Sequence, residues 1–290
     1  MSPPAPAPSG TGPVPAPRFA GRVAFVTGSS RGVGKALALR LAAEGCDVVV
    51  AAKTAAPDPK LPGTIQETAR EIEALGRRAL AVQVDVRDDA AIERATREAL
   101  ARFGRVDFLV NNAGALFWRP VVETEMKRFD LVMGVNARAA FACTRHLLPS
   151  MLAQGFGHIL MLSPPVEPRA GAGKVAYALS KFGMTLVAQG VAEEVRGRGV
   201  AANALWPATL IESQATIRWG LGDRGLWRTP EIVADAMVAI FAKAPDSFTG
   251  QAVIDEDLLR AEGVTDFTRY RCDPAREPPR VGFDFRVQAG

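Results

Sequence analysis

From Phe19 onward, short and almost unbroken apolar runs alternate with longer stretches whose apolar residues recur every three or four positions. The runs cover 23–26, 48–52, 79–84, 106–110, 158–162 and 200–204, and the helical stretches 35–44, 64–75, 90–103, 124–152 and 175–195. A strand that is apolar at successive positions has both faces covered, as in a parallel sheet flanked by helices. Regular alternation of strand and helix therefore predicts an α/β fold, a Rossmann-type doubly wound parallel sheet in a single domain. Thr229, Pro230 and Glu231 read as an N-cap, a proline at the first helical position and the opening of a helix to about Lys243. A last strand over 251–254 is expected to close the sheet's edge.

Composition narrows the picture. The chain has 290 residues, 48% of them hydrophobic, enough for a substantial core. Residues 1–18 are mostly proline and small residues, which bury too little to offset their ordering entropy, so a disordered tail is expected there. That stretch has neither the basic start nor the apolar centre of a signal peptide. The net charge is +4, but bases and acids are interspersed, and no stripe suits a nucleic-acid backbone. Cys46, Cys143 and Cys272 lie far apart, and His146 and His158 are the only histidines. This predicts no disulfide framework and no metal site, and fits a reducing cytoplasm. No apolar run reaches the ~18–20 residues of a membrane helix.

The first predicted strand runs into VTGSSRGVGK, with Gly28, Gly32 and Gly34 spaced G-x-x-x-G-x-G. Such glycines allow a tight turn, close approach to a pyrophosphate and close helix–strand packing, and the next helix offers free N–H groups to phosphate. An ordinary strand–helix turn can also hold three glycines; the position at the first such turn of the fold points to a nucleotide. NAD-binding folds place an acid about 20 residues on, against the ribose 2′-hydroxyl. No acid occurs from Val48 to Pro57; Lys53 stands there instead, and Arg31 sits in the glycine loop. Two cations favour a 2′-phosphate and so predict NADP.

With TGSSRGVG (27–34), Asp85-Val86, NNAG (111–114), Asn136 within VNARAAF, and Tyr177-Ala-Leu-Ser-Lys181, the chain resembles the short-chain dehydrogenases/reductases over roughly 19–259. Residues 51–65, the LSPP stretch, NALWP and 247–259 are similar to the hydroxysteroid dehydrogenase-like subgroup. Some members of that subgroup carry a sterol-carrier domain, for which the extension over 260–290 is expected to be too short. The resemblance implies an NADP-binding dehydrogenase domain over 19–259. It implies a cofactor site of Gly28, Ser29, Ser30, Arg31, Gly32, Val33 and Gly34, then Lys53, Asp85 at the adenine, and Asn111, Ala113 and Gly114 toward the nicotinamide ribose. Tyr177, Lys181 and Pro207 complete it; the family's Pro-Gly here reads Pro207-Ala208.

Tyr177 and Lys181 are four apart on a predicted helix and share a face. A free tyrosine has a pKa near ~10, and a nearby ammonium favours its phenolate. Tyr177 is accordingly expected to act as acid/base. Lys181 is expected to tune it and hold the ribose, and the resemblance gives Asn136 the positioning of a relay water. The family's serine lies thirteen residues before the tyrosine, where this chain has Pro164; Ser163 is one step early. Strand alternation points Ser163 away from the site, but the two prolines after it end regular pairing and could turn it back. Loss of such a donor typically costs ~10²–10³ in rate.

Leu116, Phe117, Trp118, Pro164, Pro165, Val166, Trp206 and the lid 208–227, with Trp219 and Trp227, are expected to wall an apolar pocket, at least one of these tryptophans serving only as core. This suggests an apolar secondary alcohol or carbonyl, terpenoid, fatty or sterol-like. The family resemblance implies a homodimer or homotetramer through helices 124–152 and 175–195. The extension, with Arg269, Arg271, Arg276 and Arg280, either wraps a neighbour or stays loose. A non-catalytic NADP-binding sensor or scaffold stands as the alternative, on the strength of Pro164; a lipid-carrier partner is a third reading.

Overall fold

The computed structural model describes residues 17–58 and 62–283. Most of the N-terminal tail expected to be disordered lies outside the described residues. The elements run β1 (Val23–Thr27), α1 (Gly32–Ala43), β2 (Asp47–Ala52), α2 (Ile65–Ala74), β3 (Ala79–Gln83), α3 (Asp89–Phe103) and β4 (Phe108–Asn111). They continue with α4 (Met126–Met133), α5 (Ala139–Ala153), β5 (Gly157–Leu162), α6 (Val175–Glu194), β6 (Val200–Trp206), β7 (Leu210–Ile211) and α7 (Gln214–Arg218). The last are β8 (Trp227–Arg228), α8 (Glu231–Phe241), β9 (Ala252–Ile254) and α9 (Asp255–Ala261).

Among the described residues, a seven-stranded parallel sheet has the order β3-β2-β1-β4-β5-β6-β9, with β9 closing the edge. The continuous apolar runs divide by alternation. Ala24, Val26, Val48 and Val50 pack on α1, α2 and α8, while Val23, Phe25, Val49 and Ala51 pack on the side of α3, α5 and α6. This is the single-domain, doubly wound α/β fold. Its strand order reverses between β1 and β4, and Val26 is level with both Val50 and Val110. The turns after β1, β2 and β4 therefore open at one edge, where such folds bind ligands.

Two helix expectations need correction. The stretch 124–152 is not one regular helix. It begins at Met126 and passes through a π-helical turn, Gly134–Arg138, which carries Asn136. A wider turn of this kind re-aims a side chain and often marks a functional site. Thr229 does not cap α8 through its side chain: Pro230 is the flanking residue and the helix begins at Glu231. Instead the Thr229 carbonyl accepts from Ile232 N–H at 3.4 Å, a bond the fixed geometry of the proline permits without a side-chain cap.

Candidate active site

A cavity of about 600 Å³ lies over the carboxyl edge of the sheet. At one end is the start of α1, which no side chain caps, so the helix presents bare N–H groups and the positive end of its dipole. Gly32, at φ +55°, opens onto free space there. Gly34 lets α1 approach the Gly28 carbonyl and the Asn112 side chain closer than any Cβ would permit. Thr27 ties this loop to the one after β4: its Oγ1 accepts from the N–H groups of Asn112 and Ala113, both at 3.0 Å. Asn112 Nδ2 donates back to the Thr27 carbonyl at 2.9 Å.

Of the expected cofactor residues, Gly28, Ser30, Arg31, Gly32, Val33, Gly34, Lys53, Asp85, Ala113, Gly114, Tyr177, Lys181 and Pro207 all line this cavity. Ser29 and Asn111 do not. Ser29 is buried with its hydroxyl donating to the Val26 carbonyl at 2.7 Å, and Asn111 is buried at the end of β4. Arg31 donates to the carbonyls of Pro62 (2.8 Å) and Gly63 (2.9 Å) in the loop packed against it. Asp85 is held ionised, its pKa pushed down to about 2, first by its hydrogen bond from Arg87.

At the other end stand Tyr177 and Lys181, buried on α6. Lys181 Nζ donates to the Leu162 carbonyl at 2.7 Å. Burial brings the lysine down to about 8 and raises the Tyr177 phenol above its ordinary value. Desolvation governs both groups here and opposes the expected effect of the ammonium on the phenol. Asn136 does not reach the cavity. Its Oδ1 accepts from Ala115 N–H (2.8 Å) and its Nδ2 donates to the Ala115 carbonyl (3.0 Å) and Ser180 Oγ (2.8 Å). Ser180 in turn donates to the Tyr177 carbonyl at 2.7 Å, so Asn136 links the β4 turn to the backbone of the tyrosine.

Ser163 is not brought to Tyr177. It is fully buried, it lines neither this cavity nor the one beside Pro164, and its hydroxyl accepts from Thr185 Oγ1 at 2.8 Å. Its N–H is shared between Leu205 O across the sheet (3.1 Å) and Met161 O two residues back (3.0 Å), so pairing reaches one residue past β5 and the side chain stays on the buried side, against Thr185.

The expected pocket wall divides. Leu116 and Trp206 line the main cavity, while Pro164 and Pro165 line a second one of about 570 Å³. Trp118 packs edge-on to Tyr177 and tilts against Trp219, whereas Trp227 is buried in the lid's own interior and donates to Leu221 O. Through residue 283 the C-terminal extension is tied to its own chain by ion pairs. Arg269 pairs with Asp235, Arg271 with Glu277, Arg276 with Asp223, and Arg280 with Asp257. Its last described residue, Phe283, lies on the Tyr177 ring. Sequence reasoning missed Phe283, Asn112 and Asp255. The last accepts from Ala208 N–H at 2.8 Å and so fixes the residue after Pro207.

A family model for short chain dehydrogenases matches residues 22–219. The chain belongs to that family. Hydroxysteroid dehydrogenase-like protein 2 of Danio rerio is 47% identical over 260 residues, covering 89% of this chain and 62% of the relative. The Homo sapiens protein of that name is 44% identical with the same coverage. The chain thus spans about three fifths of the length of the curated relatives it matches. Among solved structures, a short chain dehydrogenase from Mycobacterium thermoresistibile is 41% identical with a TM-score of 0.85, covering 93% of this chain and 96% of that one. A metagenomic short-chain oxidoreductase in complex with NADP is 30% identical with a TM-score of 0.67, covering 82% and 97%. The bare helix terminus, the glycines that admit a close ligand and the size of the cavity fit the nicotinamide cofactor this family uses. Among the described residues no group of three or more metal-ligating side chains lies together, and no helix is long and apolar enough to cross a membrane.

Proposed function

We propose that the chain is an NADP-dependent oxidoreductase interconverting an apolar secondary alcohol and its carbonyl, terpenoid, fatty or sterol-like. The observation that carries this is one cavity with a phosphate-binding helix terminus at one end and a buried tyrosine–lysine pair at the other. Lys53 directly follows β2, where an NAD enzyme would place an acid, and it lines the cavity with Arg31. The related oxidoreductase in complex with NADP supports the same preference.

A bound nicotinamide supplies or accepts the hydride. Tyr177 gives its proton to the substrate oxygen in reduction and recovers it in oxidation. Lys181, pinned by Leu162 O, holds the ribose side and relays the proton. Asn136 acts as a positioning residue, bracing the turn at Ala115. Ser163, turned to Thr185, contributes no donor. The apolar substrate follows from the aromatic and aliphatic residues around Tyr177. Phe141 on α5 and Leu179 and Leu186 on α6 are large exposed apolar residues, which supports pairing of two copies through these helices. Cys46, Cys143 and Cys272 are free thiols, which fits a reducing cytoplasm.

The test is NADPH and NADH oxidation with apolar ketones, aldehydes and enones, run beside Tyr177→Phe. The variant is expected to lose ~10²–10⁴-fold in turnover with NADPH binding nearly unchanged. Retention of most activity would overturn the role of Tyr177. The missing serine favours a second reading, an inactive NADP-binding sensor or scaffold. Tight NADPH binding with no turnover over the whole panel would select it.

A further inference from the structure

The aromatic ring nearest the proposed acid/base comes from the extension, outside the residues the family model matches. Phe283 is 7% exposed and lies almost parallel to Tyr177, with ring centroids 5.7 Å apart and planes at 14°. Trp206 meets it edge-on at 5.6 Å and Phe182 at 5.1 Å. Trp118 closes on Tyr177 at 6.3 Å. These rings form a box shaped for one flat apolar group, and the chain itself fills it.

The main chain around Phe283 is tethered. Val281 N–H donates to the Ala208 carbonyl at 2.8 Å, Lys174 Nζ donates to the Phe283 carbonyl at 2.5 Å, and Arg280 pairs with Asp257. The ring is held by the other rings and by the Lys174 ammonium, 5.1 Å from its centroid. Phe283 also borders the second cavity, of about 570 Å³, beside Pro164, Pro165 and Ala208. That cavity lies directly beside the ring. Tyr177 and Trp206 line the main cavity, and Trp206 and Phe283 line the second, so the box stands between the two.

We propose that Phe283 is an internal placeholder in the substrate subsite. The ligand that displaces it is a flat apolar ring, aryl or alicyclic, attached to the carbonyl or carbinol carbon. This rests on the reading of Tyr177 as acid/base.

The test uses the full chain and Phe283→Ala. The chain has only two tyrosines, and Tyr270 is buried away from the cavity. Nitration by tetranitromethane, read by peptide mass spectrometry, therefore reports on Tyr177 without any activity, with Tyr270 as the check on folding. Phe283→Ala is expected to nitrate at Tyr177 about tenfold faster, since uncovering the phenol favours the reactive phenolate, with Tyr270 still protected. In NADPH oxidation its KM for acetophenone is expected to fall severalfold relative to its KM for 2-butanone, because the occluded fraction no longer weakens binding of the ring. A KM that rises for acetophenone makes Phe283 a fixed wall and overturns the proposal, as does unchanged nitration. If the unaltered protein reduces neither ketone, the functional reading fails and nitration alone decides whether Phe283 shields Tyr177.

Discussion

Gly34 is the position at which the cofactor cradle can be tested most sharply, because the cost of one methyl group follows from the coordinates. A Cβ there would lie 2.8 Å from the Gly28 carbonyl carbon and well inside contact distance of the Gly28 oxygen and Asn112 Nδ2. Ordinary carbon contacts need ~3.5–4 Å, so α1 and the glycine loop must separate by about 1 Å. Neither side yields easily: Asn112 is bonded to Thr27 O, and Gly28 N–H to Ala51 O. Overpacking of this kind costs ~1–3 kcal/mol, or roughly 3–10 °C in melting temperature for a domain of this size. The comparison is Gly32→Ala, whose methyl would meet nothing within 4 Å. It carries only the left-handed backbone penalty of ~1–2 kcal/mol but stands where the phosphates are expected. Thermal unfolding with and without NADPH separates the two. Gly34→Ala is expected to lose stability in both conditions, whereas Gly32→Ala keeps most of its stability but loses the NADPH-induced rise. A Gly34→Ala protein that melts with the parent refutes the packing argument.

Two further predictions follow from the buried polar groups. Ser163→Ala is expected to lower kcat less than about threefold, since its hydroxyl faces Thr185 rather than the cavity; a loss of ~10²–10³ in steady-state assays would mean that the hydroxyl reaches the substrate oxygen after all. His158, packed among Phe108, Phe156 and Phe241, has its pKa lowered to about 4 by burial. The folded state therefore binds fewer protons than the unfolded chain, and stability is lost as pH falls from about 6.5 toward 4. His158→Phe should shrink the difference between urea stabilities at pH 7.5 and 4.5 by ~2–3 kcal/mol; an unchanged difference rules this out.

The fold was legible because every sheet strand is apolar on consecutive positions, and that pattern has one common solution. The glycine loop was legible for a similar reason, since Gly28, Gly32 and Gly34 each meet a separate backbone requirement. The side of β5 on which Ser163 falls was legible from alternation, but whether two prolines undo it depends on a single sheet bond, Ser163 N–H to Leu205 O. Trp118 and Trp227 look alike in sequence and divide only because one packs on Tyr177 and the other donates to Leu221 O. The extension was illegible for a stronger reason. Its arginines and prolines have the composition of a loose tail, and what fixes them is a set of acids supplied by distant elements, Asp223, Asp235 and Asp257.

Ser163 and Phe283 bear on the same step. On the proposed reading, with Pro164 in the serine's place, the substrate oxygen loses a neutral donor and depends on Tyr177. Burial raises that phenol, which fits the proposed role of Tyr177 as proton donor in the reduction direction. The same burial brings Lys181 down to about 8, where it remains mostly charged at neutrality yet can release a proton to a relay. Phe283 is one of the groups that maintain this desolvation, and moving it aside lets water or substrate take its place. An apolar ring in the box keeps the phenol dry and protonated for delivery, whereas a small polar ligand admits water and weakens that control. If Tyr177 and Phe283 act as proposed, the displaced serine is expected to favour substrates that bring their own hydrophobic cover, the class proposed for the aromatic box.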